Sequence, residues 1–160
     1  EPMWFGPLEA DFGPYENLAD VTTKLFVVEG VDPHVKDRVA DWEAFIPRID
    51  HVDDGNFMQA NVGSYQPNPF GLYDMISNVC EWTASSYRPY PYNAADGRND
   101  GAAAEKKVAR GGSWRDRPKW GRAGVRKPYE SWQRVFNVGI RPVCDDGNLA
   151  VSPLARTISR

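Results

Sequence analysis

Apolar positions along this chain fall into short interrupted clusters, and one segment alone repeats at helical spacing. Val35, Val39, Trp42 and Phe45 or Ile46 form a stripe that predicts a helix from about His34 to Phe45, opened by Asp32 and Pro33 and ended by Pro47. Ahead of it, the β-branched run Leu25-Phe-Val-Val28 reads as a short extended piece. Residues 1–20 mix Pro, Gly and aromatics without a period, which predicts an ordered loop pinned by Trp4, Phe5, Phe12 and Tyr15. From Asn61 onward short apolar pieces alternate with Pro, Gly and Asn, as in Gln66-Pro-Asn-Pro69, and this excludes long helices. Lys107-Val-Ala-Arg110 and the run from Val135 to Arg141 are the best strand candidates, with 96–101 as a surface loop. No helical pattern follows Trp114. The expectation is one α+β domain over 1–145 with little regular structure, and an extended or mobile tail over 146–160.

Composition changes this picture only by exclusion. A chain of 160 residues with 41% hydrophobic and 12% aromatic content can bury a core. Its net charge of -3 and pI near 5.4 give no general attraction to nucleic acid. A local exception is the basic cluster Arg115, Arg117, Lys119, Arg122, Arg126 and Lys127, interleaved with Trp114, Trp120 and Tyr129. Such interleaving can stack bases, but it more commonly forms a solvated face with cations over rings; its functional version here is a carboxylate-bearing ligand or acidic peptide. No apolar run approaches the roughly 20 residues of a membrane span. The start at Glu1-Pro-Met-Trp4 lacks signal-peptide character, so a processed or truncated chain is expected. Cys80 and Cys144 are too few for a disulfide scaffold, and free thiols are the expectation. His34 and His51 have no metal-ligand spacing.

Two stretches concentrate oxygen ligands in irregular backbone. Asp74 and Glu81 bracket a turn, and Asp54-Gly-Asn56 offers a second set; either can bind a hard cation or simply cap turns. Arg110-Gly-Gly-Ser-Trp114 invites a phosphate-loop reading but lacks the Lys-Ser/Thr and the following helix, so a strand end entering a tight turn is expected.

Three motifs together carry a family resemblance: Asn68-Pro-Phe-Gly-Leu-Tyr-Asp-Met-Ile-Ser-Asn-Val-Cys-Glu-Trp82, Arg110-Gly-Gly-Ser-Trp114 and Gly139-Ile-Arg141. They resemble the formylglycine-generating enzyme (sulfatase-modifying factor) family over roughly Pro2 to Cys144. The resemblance implies an irregular C-type-lectin-like α+β fold and one or two structural calcium ions. One ion would be bound by the side chains of Asp74 and Glu81 with the carbonyls of Ser77 and Val79, the other by Asn17, Leu18, Asp54 and Asn56. The family's enzymes oxidise a sulfatase cysteine using copper on two thiolates, and the matching positions here are Asp116 and Gly121, so copper is not expected. Ser113 would mark the floor of an inherited pocket, with Trp114, Asp116 and Arg126 as further binding candidates. Family domains begin with strands and a helix that this chain lacks. The expected partner is therefore the N-terminal half of the same domain, or another protein chain. Two readings follow. One is a non-catalytic or divergent module for binding or assembly. The alternative is an enzyme of this superfamily, including its non-heme iron sulfoxide synthase branch, whose metal ligands come from a missing half or partner. Calcium sites tilt localisation toward export, periplasmic or extracellular.

Overall fold

The computed structural model describes residues 3–24, 47–101 and 105–143. The expected helix over 34–45, the run over 25–28, Cys144 and the tail over 146–160 lie outside the described residues.

The amino-terminal loop is held by its rings, as its composition predicts. Trp4 meets Phe5 and Tyr15 edge-on, and Phe5 stacks on Tyr15 with centroids 5.4 Å apart. Beneath them Met3, Phe12, Leu18 and Val52 form a buried cluster, flanked by Phe5, Leu8, Ile49 and Ile76. Burying such side chains supplies about 1.5–3 kcal/mol each, enough to order a loop that has almost no ladder hydrogen bonds. A 3-10 turn over Val21–Lys24 follows, started by Asp20, whose Oδ1 accepts from the Thr22 amide at 2.8 Å. The chain returns alongside through Ile49 N–H to Ala19 O (2.9 Å) and Val21 N–H to Val52 O (3.1 Å).

The regular structure is one four-stranded sheet with a single helical turn beside it. Strands β1 (Cys80–Ser86), β2 (Lys107–Arg110), β3 (Lys127–Tyr129) and β4 (Val138–Gly139) lie in the order β3-β2-β1-β4. The β1–β2 and β2–β3 pairs are antiparallel, whereas β4 runs parallel to β1. Trp82 faces Ala109, and Ala109 faces Lys127, so with side chains alternating along each strand, Cys80, Trp82, Lys107, Ala109, Lys127 and Tyr129 share one face. A bulge between Trp82 and Ser86 shifts the register.

Three expectations change. The strand predicted over Val135 to Arg141 shrinks to Val138–Gly139, because Val138 N–H turns back onto Val135 O and Arg141 leaves the ladder to reach Glu81. A one-turn helix, α1 (Pro118–Gly121), follows Trp114 after all; Pro at its first position suits the helical φ. The 96–101 loop is more than surface: the Arg98 side chain is only 4% exposed, bonds Asp96 at 2.5 Å and lies over the Tyr92 ring, while its carbonyl accepts from Ser86 N–H.

Candidate functional site

Where β1, β3 and the loop after β2 converge, the structure builds a closed polar network. Gly111 and Gly112 take positive φ values of 94° and 77°, which turns the chain sharply out of β2 and buries Ser113. Ser113 Oγ donates to Asp116 Oδ2 at 2.6 Å and accepts from Asn137 Nδ2 at 2.9 Å. Lys127 Nζ, arriving from β3, donates to the same Asp116 oxygen at 2.6 Å. Cys80, a free and fully buried thiol, adjoins the ammonium; burial pushes its pKa up. Burial works against the Lys127 charge, yet the Asp116 hydrogen bond and the surrounding Cys80 and Asp116 outweigh it, so its pKa lies above the ordinary lysine value. The network is thus a neutralised ion pair with its hydroxyl and amide satisfied.

Gly121 explains the other half of the arrangement. A Cβ at this position would stand 2.7 Å from both Ile76 O and Ile76 Cγ2. Such a distance requires the backbone itself to shift, so the space of a side chain at 121 is filled. Trp114 is buried against Phe136, with 6.1 Å between centroids, and is wall rather than contact surface. Arg126 stands apart from this network: its guanidinium lies 3.9 Å from the Tyr90 ring centre and 5.0 Å from that of Tyr87, and it donates to Arg88 O. Beside β1 and β2 an open groove of about 620 Å³ is lined by Trp82, Thr83, Lys107 and Trp132, a feature sequence reading did not single out.

The calcium candidates form two linked clusters. Leu18 N–H and Asn56 N–H donate to the two oxygens of Asp54 at 3.0 and 2.9 Å, so Leu18, Asp54 and Asn56 are joined, with Asn17 next in the chain. Asn17 Oδ1 is buried without a hydrogen-bond partner. Asp20, fully buried, accepts from Asp54 N–H at 2.7 Å and places a second carboxylate beside the first. Burial, reinforced by Asp20, raises the Asp54 pKa to about 7. Two adjoining buried carboxylates supply hard oxygen donors of the kind a calcium ion takes, and Asn17, next to Leu18 in the chain, holds a further oxygen without a partner. At the other cluster Asp74 adopts φ 54°, and its Oδ2 accepts from Gly63 N–H while Oδ1 is buried without a partner. Glu81 fits less well: both its oxygens accept from Arg141 Nε, at 2.7 and 2.9 Å, and Arg141 also donates to the carbonyls of Tyr73 and Asp74. A guanidinium therefore already neutralises Glu81. Ser77 spends its hydroxyl proton on Glu16 at 2.5 Å and accepts from Asn17 N–H, which ties the two clusters together. Burial lifts Glu16 to about 7 against the pull of its bonds from Ser77 and Trp4. Among the described residues no three His, Cys, Asp or Glu side chains converge on one metal position.

Glu16, Asp20, Asn137, the pairing of Lys127 with Asp116 and the cationic role of Arg141 escape sequence reading. Each acts across 10 or more residues, and nothing local distinguishes it.

Comparison with known proteins agrees with the motifs. The profile of the sulfatase-modifying factor enzyme 1-like domain matches residues 20–146. The chain is 37% identical over 76 residues to the inactive C-alpha-formylglycine-generating enzyme 2 of Mus musculus, covering 47% of this chain and 21% of that protein. It is 34% identical over 76 residues to the formylglycine-generating enzyme of Streptomyces coelicolor, covering 46% and 24%. Among solved structures it is similar to PvdO from Pseudomonas aeruginosa, at 34% identity and a TM-score of 0.47 over 55% of this chain and 34% of that one. The chain spans about a fifth of the length of the first curated relatives it matches. With the profile covering well over half of its residues, this chain belongs to the sulfatase-modifying factor enzyme 1-like domain family.

Proposed function

We propose that this chain is a module of its family that does not oxidise thiols and serves binding or assembly within a larger protein or complex. The observation carrying this reading is the closure of both positions that match the family's thiols. Asp116 is held by Ser113 and Lys127, and a side chain at Gly121 would collide with the Ile76 backbone. Copper(I) seeks thiolates, and a carboxylate already neutralised by an ammonium is a poor substitute. A similar protein named as an inactive formylglycine-generating enzyme 2 accords with such a loss. The matches to proteins named as formylglycine-generating enzymes cover at most about a third of each, so their activity is not carried across.

Calcium belongs to the same reading as a structural ion that would fasten residues 17–18 to 54–56. The adjoining buried carboxylates of Asp54 and Asp20 support that cluster more than the Arg141-bound Glu81 supports the other. Exposed Phe70, Ile140 and Val143 suit contact with the N-terminal half of the domain or another chain. The test is the full-length protein incubated with copper, a thiol reductant, oxygen and a cysteine-containing sulfatase peptide. Mass spectrometry is expected to find the peptide cysteine unchanged, and formylglycine in it would overturn the reading.

A further inference from the structure

Charge is unevenly paired in this molecule. Among the described residues, ion pairs join Arg48 to Asp50, Arg88 to Glu105, Arg98 to Asp96, Lys106 to Glu130, Lys127 to Asp116 and Arg141 to Glu81. Arg110, Arg117, Lys119, Arg122 and Arg126 have no carboxylate of the described residues within ion-pair distance. They are neighbours: Arg110 Nη2 donates to Ala123 O, Arg122 Nε donates to Lys119 O at 2.9 Å, and Trp120 N–H closes a turn onto Arg117 O. A further turn, from Arg122 O to Val125 N–H, leads directly into Arg126.

Aromatic rings are set into the same surface. Lys119 Nζ lies 5.2 Å from the centre of the Trp120 ring, and Arg126 sits 3.9 Å over Tyr90; Trp120 is 48% exposed and Tyr90 61%. Cations over rings lose less freedom when a partner arrives, and exposed Arg, Trp and Tyr together are the composition of protein-binding hot spots. The remaining donors of each guanidinium match a carboxylate two at a time. A long polyanion fits poorly, because the chain is net -3 and exposed acids such as Glu9, Asp11, Asp53 and Asp100 stand on its other loops.

We infer that the Arg110–Arg126 surface around α1 is a docking site for an acidic polypeptide segment. This deepens the reading of a binding module and rests on it. The experiment uses the full-length protein and a fluorescein-labelled Glu/Asp-rich peptide, with its Gln/Asn counterpart and an oligothymidine strand as comparators, read by anisotropy. Binding of the acidic peptide alone is expected, weakening steeply between low and physiological salt. The double variant K119E/R122E, at two exposed positions, is expected to lower affinity at least about tenfold with its thermal midpoint intact. If it does not fold, K119Q/R122Q, which alters exposed charges only, is expected to lower affinity measurably. No binding, equal binding of the neutral peptide, tighter binding of oligothymidine, or unchanged affinity in a folded variant each overturns the proposal. None of these outcomes bears on thiol oxidation, so a failed docking site and a failed non-catalytic reading are told apart.

Discussion

Asp116 shows how one residue redirects an inherited site. Its carboxylate takes two short hydrogen bonds and neutralises an ammonium that is mostly buried, with side-chain exposures of 19% for Lys127 and 17% for Asp116. Asp116→Asn keeps the shape but leaves Lys127 charged without its counter-ion. The expected cost is about 2–4 kcal/mol, seen as a lower denaturation midpoint, and Asp116→Asn with Lys127→Met should recover part of it. A loss near zero would show that the pair is idle. The motif made positions 116 and 121 legible as departures from the family, because they stand at fixed offsets from Arg110-Gly-Gly-Ser. Their replacement chemistry was not legible. Lys127 and Asn137 reach the site across 11 and 24 residues, one from a three-residue strand and the other from the turn just before a two-residue strand, and no periodicity can announce either.

The elements were readable in proportion to how far local pattern governs them. β2 was found with its own boundaries, since Lys107-Val-Ala-Arg110 is an apolar pair ending at two glycines. β1 was missed: its residues after Trp82 are Thr, Ala, Ser and Ser, a sequence whose strand character comes from pairing with β2 and from the bulge. The turn after β2 is the element whose geometry most constrains the site. At Gly112, φ is 77°, and a Cβ would stand 2.8 Å from both the Gly121 Cα and Ile76 O. Gly112→Ala is therefore expected to destabilise by about 2–4 kcal/mol, from a positive φ and a backbone collision together, and to release Ser113 from Asn137. Equilibrium unfolding measures the first effect. Gly124→Ala, with nothing within 4 Å and no positive φ, is the control expected to be near neutral.

At the scale of the molecule, this is an irregular α+β fold of formylglycine-generating-enzyme type whose interior holds the carboxylates of Glu16, Asp20, Asp54 and Asp74. Glu16 and Asp54 are both buried, and both have pKa values raised to about 7, chiefly by burial. Between their ordinary values of 4.5 and 3.8 and about 7, the folded calcium-free protein holds protons that the unfolded chain has released. Folding is then favoured at the acid end of that window, and stability falls as pH rises through it, by at most about 3 kcal/mol for Glu16 and about 4 kcal/mol for Asp54 before solvent screening reduces both, flattening above pH 7. This is the reverse of a protein stabilised by ionised, paired acids. Calcium at the Asn17, Leu18, Asp54 and Asn56 cluster would reverse the sign for Asp54, because the ion favours the carboxylate. Thermal midpoints measured with chelator should accordingly decline from pH 5 to pH 7.5, while midpoints with millimolar calcium should decline less and lie higher at pH 7.5. A chelated protein that grows more stable over this range would contradict the buried-acid account. Identical curves with and without calcium would remove the ion from the Asp54 cluster while leaving that account standing.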